Sequence, residues 1–134
     1  MDKPLRNDNA ELEPINKVTE RIIGCAIEVH RVLRCGLIES VYQSAMAIEF
    51  ESVGLQFKRE VELPAVYKGR LLGRYFVDFI VEDLVIVEIK SVEKMHPIFE
   101  TQIINYIRLA GKRVGLLINF NSRLVRDGIQ RFIV

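Results

Sequence analysis

The stretch of sequence that decides the fold is residues 77–90, which read VDFIVEDLVIVEIK. It has the pattern of two apolar strands joined by a short polar turn, with Asp78 on the first strand and Glu88 and Lys90 on the second. Side chains two residues apart on a strand point to the same face, so Glu88 and Lys90 lie side by side among apolar neighbours. Charges in such a place are costly unless something pairs with them, and a divalent cation held by Asp78 and Glu88 would offset that cost.

The register of this hairpin determines whether the two carboxylates share a face. A loop with an odd number of residues, such as 82–84, or a bulge that shifts the register by one, puts Asp78 and Glu88 on the same face. Neighbouring strands lie about 4.8 Å apart, so in that register both carboxylates reach one ion. A two-residue turn at 82–83 instead turns Asp78 to the opposite face. The ordinary alternative to a metal site is a strand-end Asp78 and a surface ion pair between Glu88 and Lys90.

Length and composition predict a single globular domain. The 134 residues are 49% hydrophobic and 28% charged, and the formal net charge is only +1. The strong positive field that marks many nucleic-acid-binding proteins is therefore absent. Residues 1–13 are polar and without periodicity, so we expect a mobile N-terminal arm there and one folded domain over residues 14–134.

Neither a membrane protein nor a disulfide-stabilised protein is indicated. The longest apolar runs are strand-sized and the N-terminus lacks the apolar region of a signal peptide, so we expect a cytoplasmic protein without membrane contact. Cys25 and Cys35 match no metal-ligand spacing, and we expect both to pack as small apolar groups in a reducing compartment.

Hydrophobic periodicity predicts the order of helices and strands. Apolar residues at helical spacing, bounded by prolines or glycines, predict three helices: 14–33, 38–53 and 97–110. The second helix is expected to pack through its apolar residues: Ile38, Val41, Tyr42, Ala45, Ile48 and Phe50. Apolar runs predict strands: 56–68, 71–81, 84–90, 113–120 and a short C-terminal strand within 128–134. The passage from 84 to 120 has room for a crossover between parallel strands, so the fold class is α/β, a mixed β-sheet flanked by helices in the order α-α-β-β-β-α-β.

Three polar side chains stand out on these helices. Gln102 and Tyr106 are one turn apart and project from one face, where they either satisfy each other and the backbone or face a site. Glu39 flanks the apolar stripe of the second helix, and a favourable contact with the helix dipole is its ordinary explanation. The alternative is a third carboxylate directed at Asp78 and Glu88, in a site where their strands meet the second helix.

These residues resemble the motifs of a known family. Residues 36–42, GLIESVY, match GxxExxY in full, and residues 77–90 resemble the metal-binding core of the PD-(D/E)XK nuclease superfamily. Residues 102–106, QIINY, resemble the QxxxY motif of its RecB-like branch, and residues 115–120, GLLINF, are typical of GxxExxY proteins. The resemblance covers about residues 15–133 and implies a restriction-endonuclease-like core, which agrees with the predicted order of helices and strands.

The resemblance implies a metal centre on the hairpin. Asp78 and Glu88 would be the metal ligands, with the carbonyl of Ile89 as a third. The metal would be Mg²⁺ or Mn²⁺, because carboxylate and carbonyl oxygens are hard ligands. Lys90 would orient the attacking water and stabilise charge on the phosphate, and Glu39 would lie near the metal, directly or through water. The reaction implied is phosphodiester hydrolysis, in which the ion polarises the phosphoryl group and lowers the pKa of bound water.

The third helix carries both a match to the family and a departure from it. Gln102 and Tyr106 would hold the active site and the substrate backbone. Family members often carry a histidine three residues before the motif glutamine, where this chain has Phe99, and His96 points to another side of the helix. The departure bears on activity and not on the fold. For His30 we expect packing or capping rather than metal ligation.

The sequence leaves two classes of function open. The first is a metal-dependent nuclease that acts on nucleic acid, with DNA as the expected substrate. The second is a catalytically silent module that binds nucleic acid or protein and retains the nuclease fold. Intact Asp78, Glu88 and Lys90 favour the first, whereas the near-neutral charge favours the second. A homodimer through apolar residues 132–134, or a protein partner that supplies specificity, is also compatible with the sequence.

Overall fold

The computed structural model describes the backbone of residues 8–134 and the side chains from residue 10 onward. This part of the chain forms three α-helices, five β-strands and one short 3-10 helix. In chain order they are α1 (Asp8–Leu33), α2 (Glu39–Ser52), β1 (Phe57–Tyr67), β2 (Arg70–Val81), β3 (Val85–Lys90), α3 (Pro97–Ala110), β4 (Val114–Asn119), the 3-10 helix (Val125–Gly128) and β5 (Ile129–Ile133). The predicted order of helices and strands, including the additional C-terminal strand, is confirmed.

The strands form one mixed sheet in the order β1-β2-β3-β4-β5. β3 and β4 are parallel, and the other neighbouring strands are antiparallel. α3 connects the two parallel strands, which confirms the predicted crossover. One apolar core lies between the sheet and α1 with α2, and a second lies between the sheet and α3.

The central strand β3 contributes to both cores. Val85, Val87 and Ile89 belong to the core beneath α1 and α2, whereas Ile86 belongs to the core beneath α3. A strand covered on both faces explains the continuous apolar run in the sequence. The alternation places Glu88 on the side of the sheet that α3 covers.

The first helix begins earlier than its sequence pattern indicates. It starts at Asp8, and Pro14 lies inside it rather than near its first position. Residues 8–13, which were expected to belong to a mobile arm, are helical, and residues 1–7 lie outside the described part of the chain. Leu12 packs against the core, and Glu11 forms an ion pair of 2.6 Å with Arg113. These contacts stabilise a helical turn that the proline alone would disfavour.

The packing face of α2 differs from the predicted one. Its buried residues are Tyr42, Met46 and Phe50, which recur every four residues. Ile38 and Ile48 are 70% and 63% exposed, so the expectation that they supply packing is wrong. Ile38 precedes the first turn as the N-cap, and Ile48 lies on the solvent side of the helix.

Both predicted hairpins form. Lys68 and Gly69 make the turn between β1 and β2, with φ of 49° and 76°. Between β2 and β3, Val81 pairs with Val85 across a loop of residues 82–84, so the odd-numbered loop is confirmed. Pro64 lies on β1, an edge strand whose register shifts between Ala65 and Val66, as suits a residue without an amide hydrogen to donate.

The cysteines and the C-terminal residues differ in exposure. Cys25 is buried and free, and burial raises the pKa of its thiol to about 11, whereas Cys35 is exposed and its expected packing is wrong. In β5, Phe132 packs against the core beneath α3, while Ile133 is exposed. Within residues 8–134 no helix has the length and apolar character needed to cross a membrane.

Candidate active site

The two carboxylates at the predicted centre lie opposite each other on β2 and β3. The last pair of the β2–β3 ladder is Phe79 with Val87. One residue further, the amide of Asp78 donates to Oε1 of Glu88 at 2.8 Å, and the amide of Ile89 donates to Oδ2 of Asp78 at 2.7 Å. Each carboxylate is thus bound by the backbone of the opposite strand, and directly opposed residues share a face. Because Glu88 is only 8% exposed, the alternative of a surface glutamate is wrong.

The backbone around Asp78 also departs from regular strand geometry on the side that faces β1. The β1–β2 ladder pairs the residues before and after this position, but it omits the pair of Glu60 with Asp78. Glu60 has a φ of 53°, a left-handed conformation that is uncommon for a residue with a side chain. Backbone strain of this kind often accompanies functional sites. The irregularity frees the Asp78 amide to bind Glu88.

The carbonyl of Ile89 is directed to the same edge of β3. In a strand the N–H and C=O of one residue point to the same side, and the N–H of Ile89 points to Asp78. The Ile89 side chain is fully buried in the core beneath α1 and α2. The residue therefore offers only its backbone oxygen to a site at Asp78 and Glu88.

The GxxExxY spacing of residues 36–42 has a structural explanation. Gly36 has a φ of 97°, which favours glycine. The hydroxyl of Tyr42 donates to the carbonyl of Arg34 at 2.5 Å and accepts from the amide of Leu37 at 3.2 Å. Its ring stacks on Phe120, with centroids 4.6 Å apart and planes 6° from parallel. The glycine and the tyrosine thus fix the loop that begins α2.

The end of β3 is tied to that loop. The hydroxyl of Ser91 donates to the carbonyl of Leu37 at 2.6 Å. Asn119 pairs with Lys90 in the parallel register of β3 and β4. Its side chain accepts from the amide of Val92 at 3.1 Å and donates to the carbonyl of the same residue at 2.9 Å. These bonds hold the backbone that directly follows Lys90 at the end of β3.

Glu39 is joined to the carboxylate pair through a residue that the sequence did not single out. The amide of Gln43 donates to Oδ1 of Asp78 at 3.1 Å and to Oε1 of Glu39 at 3.5 Å. Glu39 and Gln43 are one helical turn apart, and that spacing is the signal by which Gln43 is recognisable. The bond also confirms that α2 meets the strands of Asp78 and Glu88.

Lys90 lies over an aromatic ring rather than in an ion pair. Its Nζ is 4.6 Å from the centre of the Phe99 ring, a cation–π contact. Within the described residues Glu88 and Lys90 form no ion pair, so the ordinary alternative to a metal site is not observed. Phe99, at the position where the family resemblance places a histidine, therefore holds the lysine by its π face.

The two histidines have structural contacts. Nδ1 of His96 accepts from the amide of Ile98 at 3.1 Å and caps α3. Nε2 of His30 donates to the carbonyl of Ser122 at 2.8 Å, in agreement with the packing or capping role expected for it.

Burial makes the carboxylate cluster electrostatically unfavourable. Burial, and after it the charge of Asp78, raises the pKa of Glu88 to about 8. Burial also raises the pKa of Asp78, although the Ile89 amide and Lys90 act in the opposite direction. The pKa of Glu39 is raised by burial, lowered by Lys90 and raised by Asp78. Burial thus disfavours the charged form of all three carboxylates, and Lys90 offsets this only in part.

The donor set fits a hard divalent cation held by two carboxylates. Asp78 is half-buried beside the buried Glu88, burial raises the pKa of both, and a bound cation would favour their charged forms. Mg²⁺ usually takes one or two protein carboxylates and keeps several waters. Within residues 8–134 no three or more His, Cys, Asp or Glu side chains are grouped closely enough to hold a metal ion. Direct ligation by Glu39 therefore gains no support, and its contact through water stays a prediction.

Gln102 and Tyr106 lie beside this cluster on α3. Within the described residues no hydrogen bond joins Gln102 to Tyr106, so these two polar side chains do not satisfy each other. Burial raises the pKa of Tyr106, and the charges of Glu88 and Asp78 add to the effect. Both residues line a groove along α3.

Comparisons with known proteins give one match. The family model of the PD-(D/E)XK nuclease superfamily matches residues 16–132, which include the hairpin with both carboxylates. No curated protein and no solved structure gives a significant match.

Proposed function

Since the chain belongs to the PD-(D/E)XK nuclease superfamily, we propose that it is a nuclease that uses a divalent metal ion to hydrolyse phosphodiester bonds, with DNA as its substrate. Within the superfamily we assign it to the GxxExxY proteins of the RecB-like branch, on residues 36–42 and 102–106. The observation that carries the proposal is the pairing of half-buried Asp78 with buried Glu88, whose unfavourable charge a divalent cation would compensate.

The metal would be held by oxygen atoms of the hairpin. Asp78 and Glu88 would be the ligands, the Ile89 carbonyl would be a third oxygen at the same edge of β3, and Glu39 would act through water. Mg²⁺ or Mn²⁺ bound there supplies a Lewis acid for the phosphoryl group and a lowered pKa for the attacking water. Gln43 fixes the orientation of the Asp78 carboxylate by the bond at 3.1 Å.

The remaining polar side chains act on the substrate. The Lys90 ammonium, held over Phe99, orients the attacking water and stabilises negative charge that develops on the phosphate. Gln102 and Tyr106 hold the substrate backbone from α3. Because Glu88 and Lys90 are at the end of β3 and the Asp78 amide donates to Glu88, phosphate, water and cation would meet where β3 ends.

The second candidate is a binding module that does not cleave. It is favoured by Phe99, which stands where relatives often carry a histidine, and by the net charge of +1. Such a module would retain affinity for nucleic acid or protein while showing no metal-dependent turnover.

Substitution of the carboxylates separates these candidates. Asp78→Ala and Glu88→Ala are each expected to abolish cleavage of DNA in Mg²⁺ or Mn²⁺, because each removes a ligand, and to leave circular dichroism spectra unchanged. Glu93→Ala is the matched control, since Glu93 is an exposed glutamate three residues after Lys90. Cleavage that persists in both carboxylate variants would sink the nuclease assignment. A wild type that binds DNA without cutting it would instead support the binding module.

A further inference from the structure

A groove next to the carboxylate cluster has no part in metal binding. It lies between the β1–β2 hairpin and α3 and has a volume of about 500 Å³. That volume is within the range of about 300–1,000 Å³ found for small-ligand sites. The residues that line it are Tyr75, Gln102, Asn105, Tyr106, Arg108 and Leu109.

Two tyrosines form an aromatic wall in this groove. The ring of Tyr75 is 6.1 Å from that of Tyr106, and the two planes are tilted by 47°. Tyr75 is 49% exposed, so much of its ring surface is open to a ligand. β3 pairs with β2 only over Phe79–Val81, which leaves the part of β2 that carries Tyr75 without a strand on that side. The groove therefore offers π surface that no other part of the sheet covers.

Polar groups with unused hydrogen-bonding capacity surround these rings. The side chains of Gln102, Asn105 and Arg108 make no hydrogen bond or ion pair within the described residues. Each amide offers two donor hydrogens and an acceptor oxygen, and the guanidinium offers only donors. Aromatic faces together with amides suit a nucleobase, and an arginine suits its phosphate.

The groove is next to the place where the phosphodiester would be cleaved. Phe99 of α3, whose ring lies 4.6 Å from Nζ of Lys90, is two turns before Tyr106, which lines the groove. Gln102 lies one turn before Tyr106 on the same face of α3. A nucleotide whose phosphate is at the carboxylates would thus have its base, or that of its neighbour, at the tyrosines.

We propose that this groove binds an unstacked nucleobase beside the scissile phosphate, so that the substrate class is single-stranded nucleic acid. The inference rests on the proposed nuclease function and specifies its substrate. A base in a duplex is paired and stacked on both sides, whereas a base in a single strand is free to stack on a tyrosine. Tyr75 is the stacking residue, and the amide of Asn105 contacts the base edge.

The test measures binding separately from cleavage. Fluorescence anisotropy gives the affinity of a labelled 12-nucleotide DNA, the same sequence as RNA, and its DNA duplex, in Ca²⁺ as a hard cation in place of Mg²⁺. Tyr75→Ala is compared with Tyr67→Ala, a tyrosine at the tip of the same hairpin that is 61% exposed and lies outside the groove. We expect Tyr75→Ala to weaken single-strand binding about tenfold, the share of one stacked base, and to leave duplex binding unchanged. Tyr67→Ala should bind like the wild type.

An abasic scan locates the base that occupies the groove. One abasic nucleotide, moved along the single strand, should reproduce the tenfold loss at one position, and at that position Tyr75→Ala should cause no further loss. Unchanged single-strand affinity in Tyr75→Ala, or a duplex bound as tightly as the single strand, would overturn the inference. Tighter binding of the DNA or of the RNA strand identifies the sugar, and either one supports a single-stranded substrate.

The outcomes for the two proposals are distinguishable. Cleavage is assayed on the same oligonucleotides in Mg²⁺. Binding that depends on Tyr75 without any cleavage refutes the nuclease and leaves the base site in place. Duplex cleavage that is indifferent to Tyr75 refutes the base site and leaves the nuclease in place.

Discussion

The substitution Glu88→Gln removes an ionisable group from the site. Burial, and after it the charge of Asp78, raises the pKa of that group from 4.5 to about 8. In the unfolded chain Glu88 loses its proton near pH 4.5, whereas in the metal-free folded chain it keeps the proton up to about pH 8. Its contribution to stability is therefore fully present below pH 4.5 and is lost as the pH rises through about 8. Glu88→Gln lacks this loss, because the amide resembles the protonated carboxyl group in shape and charge.

The magnitude follows from the size of the pKa change. One pKa step corresponds to about 1.4 kcal/mol, so a rise from 4.5 to about 8 corresponds to a loss on the order of 5 kcal/mol in the free energy of unfolding. The free energy of unfolding of Glu88→Gln minus that of the wild type should therefore be several kcal/mol larger at pH 9 in EDTA than at pH 4.5.

Urea unfolding followed by circular dichroism, across pH 4.5 to 9, measures this difference. Glu93→Gln, an exposed glutamate near the site, is the control and should follow the wild type at every pH. If the difference in the free energy of unfolding between Glu88→Gln and the wild type is independent of pH, the pKa of Glu88 is not raised in the folded chain. Addition of Mg²⁺ should restore wild-type stability at pH 9 without affecting Glu88→Gln, since bound cation replaces the lost proton.

Three further substitutions test the surroundings of the site. Gln43→Ala removes the amide that lowers the pKa of Asp78, so an NMR titration of the Asp78 carboxyl carbon should show a higher pKa than in the wild type, and no change would contradict the assigned bond. Tyr42→Phe removes two hydrogen bonds that hold the loop before α2, and chemical denaturation should show a loss of about 1–3 kcal/mol. Gly115→Ala places a Cβ 2.7 Å from Cδ1 of Ile107, so overpacking between β4 and α3 should cost about 1–3 kcal/mol, and a wild-type melting temperature would argue against that packing.

Local sequence signals were sufficient for the hairpin and for most boundaries of helices and strands. The sequence predicted the hairpin but left open an odd or an even loop, and the loop of 82–84 puts Asp78 and Glu88 on the same face. Pro97 and Gly111 delimit α3 as expected, because proline suits a first helical position and glycine a left-handed end. These features depend on few neighbouring residues, which is why the sequence alone predicts them.

Features that depend on tertiary contacts were not predictable in the same way. Pro14 indicated a helix start, but contacts of Leu12 and Glu11 with distant parts of the chain extend α1 to Asp8. A glutamine on a helix is ordinary in a sequence, and the role of Gln43 follows only from its hydrogen bond to Asp78. The groove at Tyr75 brings a hairpin and a helix together, and no local pattern in the sequence indicates that contact.

Calorimetric titration of Mn²⁺ into the wild type and Glu88→Ala determines whether Asp78 and Glu88 hold a divalent cation. We expect saturable binding to the wild type that is lost in Glu88→Ala and retained in Glu93→Ala. If the wild type binds no ion, or if Glu88→Ala binds it as tightly as the wild type, the carboxylate pair is not a metal site.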